Sequence, residues 1–149
     1  MKTKGAGVKK KGRSTLRDIV LFVHSARLFL EAQCIRKSIL DQTIARLQAK
    51  RHLPRHVSPI EAELATLRAS PRMARWFAVC DTCLIRSLVL GTLLSDQEGV
   101  FLHIGFRQGI AQTEPVEGHA WISFQGEVLL NSGVEDACYK ETLSIEMRR

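Results

Sequence analysis

"CDTCLIRSLVLGTLLSDQEGVFLHIGFR", residues 80–107, is where the pattern of the chain changes. Its first half carries Leu84, Leu88, Leu90 and Leu94 at helical spacing. Asp81 or Thr82 can cap the start and Gly99 closes the turn after it, which predicts a helix from about Cys83 to Leu94. The second half, "VFLHIGFR" at 100–107, reads as a strand. Residues before this junction have helical spacing, and residues after it have strand character. The class is therefore α+β, with helices first and a small antiparallel sheet last.

Upstream, Ser14 or Thr15 can cap a first helix, and no Gly or Pro occurs from Leu16 to Lys50. Apolar residues recur at Leu16, Ile19, Val20 and Val23, then at Leu28, Leu30, Cys34 and Ile35, and again at Ile39, Leu40, Ile44 and Leu47. This spacing fits one long helix, or two with a break near 31–38. "HLPRHVSP" is a linker. Ser58-Pro59-Ile60-Glu61 is a capping box with Pro at the first helical position, so another helix is expected from Pro59 to Ala69. "SPRMARWFAV" suggests a separate short helix. Downstream come a loop at 108–117, strands "HAWISF" (119–124) and "EVLLN" (127–131), and a last strand or turn at 138–145. There are no internal repeats.

The 149 residues suffice for one domain with a real core, and the net charge of +7 is unevenly spread. "MKTKGAGVKKKGR" holds six Lys/Arg and no acid; without it the balance is 16 basic to 15 acidic residues. A basic, Gly-rich arm of this kind is expected to be a disordered tail, and nucleic-acid binding is not the expected main function. The expected organisation is a tail at 1–13, a helical region at 14–75 and a catalytic core at 76–149, the last two forming one compact domain. The apolar run "IVLFVHSARLFL" is broken by His24 and Arg27, falls short of a membrane span and makes a poor signal peptide. The expected address is the cytoplasm, where Cys34, Cys80, Cys83 and Cys138 would be thiols.

Cys83 stands at the expected helix start. First-turn N–H groups lack intrahelical partners and the helix dipole is positive there, so a thiolate is favoured and an oxyanion could be received. The bland alternative is a small buried hydrophobe. His119 enters the first strand of a hairpin. With a three-residue loop of Phe124, Gln125 and Gly126, Ser123 pairs with Glu127 and His119 with Asn131. A two-residue loop would instead put Ser132 opposite His119. The sorting of apolar from polar residues favours the three-residue loop. Cys83, His119 and Asn131 then supply a nucleophile, a base and an orienting amide, the parts of an acyl-transfer site. Zinc at Cys80, Cys83, His119 and Cys138 is a weaker reading, because no second ligand pair at tight spacing exists. A redox role for Cys80 and Cys83 lacks the expected preceding strand. His103 reads as a solvent-facing or satisfied strand residue, Trp121 as packing or a shield beside His119, and Arg86 as a salt-bridge or steering charge.

"CLIRSLVLGTLL", "LHIGFR" and "GHAWISFQGEVLLN" together resemble the leader peptidases of lasso-peptide biosynthesis, small bacterial members of the transglutaminase-like, papain-related cysteine protease superfamily. The resemblance covers about residues 80–131. It implies a transglutaminase-like core with the nucleophile Cys83 at a helix N-terminus and the general base His119. The third member is usually Asp, where this chain has Asn131; Glu135 or Asp136 could take the role instead. The implied substrate is a ribosomally made precursor peptide, cut between leader and core. The implied partners are a separate leader-recognition protein and an ATP-dependent cyclase. The alternative function is a non-catalytic module of the same fold that docks precursor or cyclase. No cofactor is called for.

Overall fold

The computed structural model describes residues 15–35, 40–49, 56–77, 82–107, 116–130 and 139–148. The basic segment 1–13 lies outside them. Four helices come first: α1 (Thr15–Ile35), α2 (Leu40–Gln48), α3 (Pro59–Phe77) and α4 (Cys83–Leu94). Four strands come after them: β1 (Val100–Arg107), β2 (Glu117–Phe124), β3 (Glu127–Leu129) and β4 (Lys140–Glu146). They form one antiparallel sheet in the order β3-β2-β1-β4.

The helical stretch read as one or two elements is two, α1 and α2. The capping box forms as expected: the Ser58 N–H donates to Glu61 Oε2 at 3.0 Å, and the Glu61 N–H donates to Ser58 Oγ at 3.3 Å. The helix it opens does not stop at Ala69. It runs on through Pro71 to Phe77, so the separate short helix expected over 70–79 is the second half of α3. Proline removes one backbone hydrogen bond and crowds the preceding turn. A continuous buried stripe (Ala62, Ala65, Thr66, Ala69, Ser70 and Met73) offsets this, while Pro71 itself is exposed.

Helix α4 packs against α1, α2 and α3 as well as against β1 and β2. It is accordingly buried along almost its whole length, from Ile85 and Ser87 through Leu94, and not on one leucine stripe alone. Leu84 is only half-buried. The face of the sheet toward α4 carries Val100, Leu102, Ala120 and Ile122, all buried. Gly91 sets the approach of the two layers. A Cβ there would lie 2.9 Å from Ile122 Cδ1 and 3.0 Å from Met147 Cε, so the missing side chain lets α4 lie close on β2.

The hairpin corrects the expected register. Phe124 pairs with Glu127, Ser123 with Val128 and Ile122 with Leu129, leaving a two-residue loop of Gln125 and Gly126. Both loop residues have positive φ, 51° and 87°, the conformation whose twist matches that of paired strands. This register turns Leu129 to the core side beside Ile122 and leaves Val128 39% exposed. The run Val128-Leu129-Leu130 has apolar residues at consecutive positions, so either register could bury one of them, and alternation did not discriminate. Strand β3 then stops. Leu130 has φ 57°, and its N–H donates to Glu63 Oε1 of α3 at 2.6 Å.

Candidate active site

Thr82 is the N-cap of α4. Its backbone is extended, and its side-chain oxygen accepts the Ile85 N–H at 3.3 Å. Its carbonyl takes the Arg86 N–H at 3.0 Å. The cap thus serves the third residue of the helix. The N–H groups of Cys83 and Leu84 have no intrahelical acceptor by the geometry of a helix start. Cys83 is therefore a free, half-buried thiol in the first turn of a capped helix. Replacing Thr82 with Ala should cost about 1 kcal/mol. For a chain of this size that lowers the melting temperature by roughly 2–4 °C. An unchanged thermal transition would deny the cap its structural role.

Two contacts fix how α4 lies along β2. The Ser87 hydroxyl donates to the Ala120 carbonyl at 3.0 Å, and Gly91 sits against Ile122. Four residues of helix advance about 6 Å, and two residues of strand about 6.6 Å. The helix and strand therefore keep step along their lengths, four helix residues to two of strand. Extended one step back, the same spacing brings Cys83, at the start of α4, toward the level of Gly118 on the α4 side of the sheet. Strand alternation turns Ala120 toward α4 and the His119 ring to the other face of the sheet.

On that face the rings form a row. His103 stacks on Trp121 with centroids 5.4 Å apart, Trp121 on His119 at 5.8 Å, and His119 on Tyr139 at 4.8 Å. His103 is a satisfied strand residue. Its Nδ1 lies 2.9 Å from Glu141 Oε2, and its Nε2 2.7 Å from Ser123 Oγ. This hydroxyl–imidazole–carboxylate chain has the order of a catalytic relay. Ser123, however, is only 7% exposed and sits in β2 between β1 and β3, a place that suits a brace across three strands more than a substrate-facing hydroxyl.

Asn131, the expected third member, lies outside the described residues, as do Glu135, Asp136, Cys80 and Cys138. The register on which Asn131 was expected opposite His119 is not the one observed, since Ser123 pairs with Val128 and β3 ends at Leu129. Among the described residues no group of three or more His, Cys, Asp or Glu could hold a metal ion, and no helix is long and apolar enough to cross a membrane. Sequence reasoning missed Tyr139 and Glu117. Glu117 was legible in principle: Arg107 and Glu117 carry opposite charges at the two ends of one loop, where a β1–β2 pairing would bring them together.

The family model described as Transglutaminase-like superfamily matches residues 42–144. No curated protein and no solved structure matches the chain.

Proposed function

The chain belongs to the transglutaminase-like superfamily, and we propose on that premise that it is a cysteine peptidase that removes the leader from a ribosomally made lasso-peptide precursor. The observation that carries the reading is the free thiol of Cys83 in the first turn of a capped helix. The superfamily includes cysteine peptidases, which supports the reaction class. The resemblance of residues 80–131 to lasso leader peptidases supports the substrate class.

In this mechanism the Cys83 thiolate attacks the scissile carbonyl carbon. The carbonyl oxygen becomes an oxyanion and is received by the N–H of Cys83 and a second donor. His119, whose ring stands on the sheet face away from α4, has to meet the thiol around the Gly118 end of β2; there it takes the thiol proton and gives it to the leaving amine as the C–N bond breaks. Water, deprotonated by His119, then attacks the thioester, expels the Cys83 sulfur and frees the acid end of the leader. Asn131 is the proposed orienter of His119, with Glu135 and Asp136 as the acids nearest in sequence. The proposed partners are a leader-recognition protein and an ATP-dependent cyclase that uses the freed core amine. The proposed setting is the bacterial cytoplasm.

Incubating the protein with a lasso precursor and its recognition protein should release leader and core as two fragments by mass spectrometry. Prior treatment with iodoacetamide should stop the release. A precursor that stays intact with untreated protein would overturn the proposal.

A further inference from the structure

Two short motifs, Gly105-Phe106-Arg107 on β1 and His119-Ala120-Trp121 on β2, converge on one imidazole. Gly105 pairs with His119 across the strands. A Cβ on Gly105 would stand 3.0 Å and 3.1 Å from Cη2 and Cζ3 of Trp121 and 2.9 Å from the Lys140 carbonyl oxygen. The bare backbone at Gly105 therefore lets the indole come close over β1, with its plane 12° from that of His103 and 19° from that of His119. His103 cannot turn freely beneath it, because both of its ring nitrogens are engaged, by Glu141 and Ser123. The His119 ring thus stacks on a braced indole.

Tyr139 also stacks on His119, its ring 4.8 Å away and inclined by 29°. Tyr139 is braced in turn. The Arg107 guanidinium lies 5.2 Å from its ring centroid. Its hydroxyl donates to Glu117 Oε2 at 3.4 Å, and the same oxygen accepts from Arg107 Nε at 3.1 Å and from Arg107 Nη2. Arg107 and Glu117 face each other as cross-strand partners, so the ion pair is built on the regular ladder between β1 and β2. Stacked rings resist tilting away from their near-parallel arrangement, and a cation over a ring face adds an attraction that holds the ring in place.

We propose that Tyr139, held by Arg107 and Glu117, is a positioning residue that, stacked on His119 as Trp121 is, clamps the plane of the imidazole. The proposal deepens the reading of His119 as the general base and rests on it. The two stacked neighbours fix the plane of the imidazole. The polar partner of His119 then sets only the rotation within that plane, a smaller task than holding the ring alone. That division of labour suits a chain whose expected orienter is an amide.

The test uses Tyr139→Leu and Tyr139→Phe in the full chain. The His119 ring protons should resonate upfield in the parent protein, shift downfield in Tyr139→Leu, and return in Tyr139→Phe, which keeps the ring and loses only the hydroxyl. In precursor cleavage, kcat should fall about tenfold in Tyr139→Leu, the loss expected from one aromatic contact. KM should hold, and Tyr139→Phe should restore kcat. Should Tyr139→Leu fail to fold, Arg107→Met releases the tyrosine instead and should shift the same resonances. Unmoved His119 resonances, or a Tyr139→Phe protein as impaired as Tyr139→Leu, would overturn the clamp. A parent protein that cleaves nothing would overturn the peptidase reading instead, and the resonance arm would still decide the clamp.

Discussion

Cys83→Ala should reduce precursor cleavage to background while leaving the protein folded. Removing the nucleophile from an enzyme of this kind lowers turnover by a factor on the order of 10⁴–10⁶. Alanine keeps the small volume of the half-buried position, is the best helix former, and leaves the Thr82 cap and the Ser87–Ala120 hydrogen bond in place. Circular dichroism and thermal unfolding should therefore match the parent protein, and only the cleavage assay should respond. Undiminished cleavage by the folded variant would assign the chemistry elsewhere. A folded parent protein that binds precursor but cleaves nothing would instead favour a docking module of the same fold.

Leu102→Ala should have the largest effect on stability. Leu102 is fully buried in β1, paired with Ile122 of β2 on one side and Ile145 of β4 on the other, and it faces the helical layer. Strand β1 is held on both edges and cannot collapse into the space left behind. Truncating such a leucine costs about 2–5 kcal/mol, a large share of the roughly 5–15 kcal/mol by which proteins of this size are stable. Urea titration should show the midpoint falling with little change in slope. A loss below about 1 kcal/mol would mean that the sheet repacks and that β1 is not the fixed centre of the layer.

Much of this architecture is legible in the residues because local chemistry decides it. The Ser58–Glu61 box, the Thr82 cap and the strand Val100–Arg107 each depend on neighbours within a few positions. The pairing of His119 with Trp121 on one face needs only strand alternation. The features that were not legible depend on distant partners. Pro71 looks like a helix end until the buried stripe from Ala62 to Met73 is seen to continue past it. The hairpin register was misread because Val128, Leu129 and Leu130 are all apolar, and the choice among them depends on distant partners such as Glu63 of α3, which takes the Leu130 N–H. Tyr139 was invisible beside His119 because β4 joins β1 from the far end of the sequence, and nothing local announces that pairing.

The hydrogen bond from the Leu130 N–H to Glu63 has a bearing on protein engineering. It ties the point where the hairpin releases the chain toward Asn131 to a helix 67 positions earlier. The hairpin is therefore not a portable cassette. Grafting residues 117–131 onto another scaffold would carry the histidine and its indole neighbour. It would leave behind the carboxylate that accepts the Leu130 N–H, so a transplant would have to bring α3 or rebuild its acceptor.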